Sequence, residues 1–77
     1  MTERVKIKLN TIKDITEFVE VSRQFPIELD VQSGRYIVSA TSIMGILSLN
    51  LEEVVNLVFD NNYIEDIKLK FNKWIVN

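Results

Sequence analysis

Histidine and cysteine, the side chains behind much enzyme chemistry, are both absent from this 77-residue chain. Without histidine it lacks the commonest general acid/base and metal ligand, and the usual carrier of a transient phosphoryl group near neutral pH. Without cysteine it has neither disulfides nor a thiolate nucleophile. No glycine-rich phosphate loop or paired-carboxylate motif stands in their place. A catalytic constellation would have to come from Asp, Glu, Lys, Ser or Tyr alone. The chain therefore reads as a non-enzyme with no metal or cofactor site.

The reactive group that stands out is the hydroxyl of Ser42, which with Thr41 opens the stretch Thr41 to Leu51, TSIMGILSLNL. At the start of a helix it reads first as an N-cap that satisfies an orphan amide, worth about 1 kcal/mol. Thr41 competes for that place. Phosphorylation of Ser42 would add about −1.5 to −2 charges beside exposed amides and the positive helix end. From Tyr36 to Leu51 there is no Lys or Arg, so a guanidinium partner would come from elsewhere in the fold or from another protein.

The same 16-residue run, Tyr36 to Leu51, carries no Asp or Glu either and is broken by five Ser, Thr and Asn residues. It falls short of the roughly 20 apolar residues that span a bilayer, which predicts a short core helix rather than a membrane segment. Residues 43, 44, 46, 47, 49 and 51 cannot all face one way at 100° per residue. With Ile46 and Leu49 inward, Ile43, Met44 and Leu47 form an exposed apolar patch, and Gly45 permits close approach. Such a patch is what a protein-docking site looks like.

Composition bounds the rest. Hydrophobic residues make up 47% and charged residues 26% of the chain, values of an ordinary globular domain, so residues 1–77 read as a single domain with one small core. A net charge of −2 supplies no cationic field for phosphate backbones and argues against nucleic acid as a partner. The start, Met1 to Lys8, has no signal-peptide hydrophobic region, and with the lack of cysteine this fits the cytoplasm.

The elements that position Ser42 follow from periodicity. Val5, Ile7 and Leu9 alternate with Arg4, Lys6 and Lys8 in a first strand. Thr11 with Asp14 makes a capping-box start, and Ile12, Ile15, Phe18, Val19 and Ser22 form a helical stripe through Gln24. Pro26 ends that helix. Ile27, Leu29 and Val31 begin a hairpin that turns at Ser33-Gly34 and returns with Tyr36, Val38 and Ala40 facing the core. Arg35, Ile37 and Ser39 then face outward.

The second helix is expected from Thr41 or Ser42 to about Leu49 or Asn50. Val55, Leu57 and Phe59 form one face of a fourth strand, Asp60 to Asn62 a capping turn, and Tyr63 to Val76 a last helix with Ile64, Ile67, Phe71, Trp74 and Ile75 buried. The order βαββαβα implies an α+β open-faced two-layer sandwich. Its four-stranded, antiparallel sheet is covered on one face by three helices. Arg4, Lys6, Lys8, Glu28 and Asp30 would share the bare face as a solvated mixed-charge surface.

Thr41-Ser42-Ile43-Met44-Gly45-Ile46-Leu47-Ser48-Leu49, set after two hairpin strands and before the fourth strand, resembles the HPr family of the bacterial sugar phosphotransferase system. The resemblance extends to the element order and to the Phe18-Val19 pair of the first helix. It implies that Ser42 matches a regulatory phosphorylation serine, and that Ile43, Met44 and Leu47 match the positions that dock partner proteins. Implied partners are an HPr kinase-like enzyme and a transcriptional regulator of the LacI type.

The other family motif, Gly-Leu-His-x-Arg-Pro-Ala, is missing: Asn10 to Phe18 reads NTIKDITEF, without His, Arg or Pro. Lys13 and Asp14 do not reproduce a phosphorylatable imidazole with its donors, and the capping box is preferred over an acyl-phosphate site as the reason for an acid at Asp14. The chain is thus similar to the catabolite-repression HPr-like subgroup, a regulatory and protein-binding module that cannot carry phosphate on histidine. The alternative is a divergent domain of the same fold that self-associates as a homodimer or serves an unrelated structural role.

Overall fold

Basic residues alternate with Val5 and Ile7 near the start of the chain, and in the computed structural model, which describes residues 1–76, β1 spans Thr2–Ile7. The strands β2 (Asp30–Ser33), β3 (Tyr36–Ser39) and β4 (Val55–Asp60) complete one antiparallel sheet in the order β1-β4-β2-β3. Its register aligns Val5, Leu57, Val31 and Val38 in a single row across all four strands. Against this row pack α1 (Ile12–Arg23), α2 (Ile43–Leu47) and α3 (Ile64–Lys70). The result is the α+β open-faced sandwich that the hydrophobic pattern requires.

On the open face Arg4, Val58 and Asp30 lie side by side in register, yet Val58 is nearly buried. Arg4 on β1 donates from Nε to Gln32 Oε1 on β2 at 3.2 Å. Its aliphatic stem must therefore cross β4, shielding Val58 from water. Lys8 leaves this face: lying past the end of β1, it donates from Nζ to Leu51 O at 2.9 Å and Asn10 Oδ1 at 3.0 Å.

The hairpin turns at Gly34-Arg35, one residue later than expected, because Ser33 pairs with Tyr36. Gly34 has φ of +61°, and no other described residue has positive φ, the requirement of a two-residue turn with glycine first. Tyr36 has the parity of the core face but is 69% exposed, since it sits at the hairpin tip, beyond the reach of the helices.

The core centres on Phe18 of α1. Its ring meets Phe71 at 5.2 Å between centroids and Trp74 at 5.6 Å, edge-on, while Phe25 stacks on Phe71 at 5.5 Å. Reaching these positions divides the expected last helix into three pieces. A 3₁₀ turn at Asn61–Tyr63 precedes α3, and a second at Asn72–Trp74 follows it. Ile75 is then extended and bridges Ile7, with Lys8 N donating to Trp74 O and Val76 N to Lys6 O, both at 2.9 Å. At this end of the outer edge of β1 the backbone groups of Lys6 and Lys8 are thus satisfied by residues 74–76.

The capping box at the head of α1 is formed as expected. Thr11 Oγ1 accepts from Asp14 N at 3.0 Å, and Asp14 Oδ2 accepts from Asn10 N at 3.0 Å and Thr11 N at 3.3 Å. The Asn10 amide is the main reason that the Asp14 carboxyl titrates below the ordinary carboxylate range, and burial partly opposes it. Trp74 Nε1 has no hydrogen bond of normal geometry, but the indole N–H adds a weaker downward pull on Asp14.

Two outcomes follow from this packing. Phe71→Ala should cost about 3–5 kcal/mol, most of the stability of a small domain. The measurement is urea unfolding followed through the fluorescence of Trp74, the only tryptophan. Because the folded pKa of Asp14 is depressed, its contribution is full above the unfolded value near 3.9 and disappears as pH falls through the folded value. The gap in melting temperature between the native chain and Asp14→Asn should therefore narrow as the pH falls below the ordinary carboxylate range; a pH-independent gap would contradict the assignment.

Candidate functional site

The seat of α2 is set by a glycine. A Cβ placed on Gly45 would lie 3.1 Å from Val38 Cβ on β3 and 3.0 Å from Ser42 Oγ, tighter than side chains normally pack. The closeness that Gly45 permits is thus to its own strand and its own cap. With Gly45 against Val38, the rotation of the helix is fixed. Ile46 is fully buried and Leu49 nearly so, while Ile43 is 40%, Leu47 49% and Met44 82% exposed. The two-faced arrangement expected from the spacing is present.

Ser42, not Thr41, is the N-cap: its backbone is extended and its Oγ accepts from Gly45 N at 3.0 Å. Thr41 instead bonds back to β3, its N donating to Ser39 Oγ at 3.2 Å and its Oγ1 lying 2.9 Å from the same atom. Ser42 N donates to Ser39 O at 3.1 Å. These three hydrogen bonds to Ser39 hold the cap at a defined place on the edge of the sheet. The helix ends at Leu47, earlier than expected. Ser48 satisfies the Gly45 carbonyl from both N, at 3.1 Å, and Oγ, at 2.6 Å, and Leu49 N turns tightly onto Ile46 O.

One residue of the surface escaped the sequence reading. Ile12 fits the phase of the α1 stripe but is 68% exposed. As the first residue of α1 its side chain leans toward the helix start, past the end of the sheet. A groove of about 480 Å³, lined by Ile12, Leu47, Asn50, Leu51, Lys8 and Asn10, joins it to α2. Its position at the first helical turn was the available signal, because stripe periodicity says nothing about what lies beyond the helix end. The apolar surface therefore runs from Ile43, Met44 and Leu47 to the head of α1.

The loop before α1 offers no replacement for an imidazole. Its amides at Asn10 and Thr11 are occupied by the Asp14 carboxylate, and Lys8 is held by its two oxygen acceptors. Among the described residues no three Asp or Glu side chains converge as a metal site, and no helix is long and apolar enough to cross a membrane.

No protein-family model and no curated protein sequence matches the chain. The crystal structure of HPr-C-His from Thermoanaerobacter tengcongensis is similar to it, with a TM-score of 0.71 and 28% sequence identity. The similarity covers 94% of this chain and 88% of that one. Sheet order, helix placement and this structural match agree on an HPr-like fold.

Proposed function

We propose that this chain is an HPr-like regulatory module that binds protein partners through α2 and cannot carry phosphate on histidine. The observation that carries this reading is the outward face of α2. Ile43, Met44 and Leu47 stand exposed beside the capped hydroxyl of Ser42, with Ile12 extending the same surface. A carrier needs a nitrogen nucleophile surrounded by free donors. At the head of α1 there is no imidazole, and the chain's own Asp14 fills the amides.

Regulation acts at Ser42. Its Oγ uses one lone pair on Gly45 N and is only partly buried, so it remains open to a phosphoryl donor. The added phosphate would act as a recognition tag, read by cationic groups of the partner, since α2 and its flanks supply none. The resemblance to HPr points to a kinase of the HPr kinase/phosphorylase type as the enzyme and a LacI-type transcriptional regulator as the partner, both in the bacterial cytoplasm. Neither nucleic acid nor membrane is needed.

A stable homodimer through the same surface is disfavoured on area. Four exposed side chains offer a few hundred Å², against the roughly 800 Å² per partner of a standard stable interface.

The test is incubation with HPr kinase/phosphorylase and ATP followed by intact mass. The native chain should gain one phosphate and Ser42→Ala none. Ser42→Ala should also lose about 1 kcal/mol of stability with the cap. An unmodified native chain, or phosphate persisting on Ser42→Ala, would falsify the assignment of Ser42. Sedimentation equilibrium should find a monomer, and a dimer that Met44→Asp dissociates would favour the self-associating alternative.

A further inference from the structure

The two outer strands of the sheet differ. Residues 74–76 bond to Lys6 and Lys8 on the β1 side, whereas β3, at the other end of the sheet, has no strand beyond it. Ser33 and Tyr36 flank the two-residue turn and form a hydrogen-bonded pair, so by alternation Val38 also bonds to β2. Ala40 N, which donates to Leu29 O at 2.8 Å, keeps the same alternation. Ile37 and Ser39 therefore direct their backbone groups outward. Ser42 N takes Ser39 O, but Ile37 N, Ile37 O and Ser39 N have no partner among the described residues. No Lys, Pro or bulge in β3 guards this edge, and Ile37 is 55% exposed beside it.

Helix α2 walls the same edge. Gly45 faces Val38 on β3, and Ile46, turned about 100° to one side, is fully buried. Met44, turned by the same angle to the other side, is 82% exposed and overhangs the free edge. Backbone below and an apolar side chain above make a step of the kind to which an extended peptide adds as a strand. The open face supplies a charge. Asp30, in register with Ser39, makes no ion pair among the described residues; Arg4, in line with it across β4, gives its Nε to Gln32 instead. Arg35 lies at the hairpin tip, the far end of β3 from Ser39.

We infer that the free edge of β3 takes an extended segment of the partner as a fifth strand, with an apolar residue opposite Ile37 and a Lys or Arg opposite Ser39. An antiparallel strand satisfies all three free backbone groups. Its residue opposite Val38 lies under Met44, and its cation reaches Asp30 across the small Ser39, as Arg4 reaches Gln32 across β4. A second copy does not fit. Paired β3 strands would lie about 4.8 Å apart, bringing two α2 helices, each standing over its own β3, closer than the roughly 8–10 Å at which helices pack. The added strand rests on the reading of α2 as a partner-binding face and supplies the shape and charge of what that face binds.

The probe is the acetylated, amidated peptide Thr-Lys-Leu-Val-Thr, which sets Lys opposite Ser39 and Val opposite Ile37. Added at millimolar concentration to the isotope-labelled native chain, it should shift the NMR signals of the Ile37 and Ser39 amides most and slow their exchange with solvent. Glu in place of the peptide's Lys should weaken binding at least several-fold, and Asp30→Asn should remove that difference. Pro in place of the peptide's Val cannot donate to Ile37 O and should abolish the shifts. Ile37→Pro should do the same, since it removes an outward N–H and leaves the ladder to β2 intact.

Unshifted Ile37 and Ser39 amides overturn the inference, as does equal binding of the Pro or the Glu peptide. So do concentration-dependent shifts of these amides without peptide, which would make a second copy the occupant. Shifts confined to Ile43, Met44 and Leu47 keep α2 as a partner-binding face and overturn the added strand. Strand addition that Met44→Ala leaves unchanged supports the edge and counts against α2 as the partner-binding face.

Discussion

The contact of Gly45 with Val38 governs how this surface is built. Val38 is the last member of an apolar row that crosses the whole sheet, so its position is inherited from the pairing of all four strands. A helix seated on it at glycine distance has little rotational freedom. Ile46 and Leu49 must then enter the core, and Ile43, Met44 and Leu47 must leave it. The apolar outer face follows from a short helix with more hydrophobic residues than one side can bury. Their exposure in a stretch without a single charge is what marks this face as a candidate surface for a partner.

The head of α1 shows the complementary case, in which polar groups are consumed internally. Free amides at a helix start attract anions, and here Asp14 supplies the anion from within the chain. Capping strengthens the helix and removes the donors in one step. Lys8 is likewise drawn to Leu51 O and Asn10 Oδ1, tying the end of β1 to the connector that follows α2. One end of the molecule is thus stabilised at the expense of polar chemistry, and the neighbouring α2 is left as its most apolar exposed feature.

Most of the architecture was legible from period-two and period-3.6 spacing, because each strand and helix buries one face. The buried Ser22 and the outward trio on α2 were readable for the same reason, and the capping box at Thr11 and Asp14 from its own local spacing. The misreadings cluster at ends. Ile12 and Tyr36 have the right phase but lie beyond the elements that would cover them, a fact of tertiary length rather than periodicity. The stripe Ile64, Ile67, Phe71, Trp74 fits one helix, yet pairing of Ile75 with Ile7 required an extended segment that local spacing does not encode. That Gly45 faces Val38 rather than a partner was also beyond reach, since it depends on where β3 runs.

Helix α2 has one face locked in the core and one face free. The most direct measurement is urea unfolding of Met44→Asp beside Ile46→Asp. Met44→Asp should unfold within about 0.5 kcal/mol of the native chain, whereas Ile46→Asp, a carboxylate placed in a dry core, should prevent folding. Comparable destabilisation by the two substitutions would contradict the account, for it would mean that α2 has no free face to offer a partner.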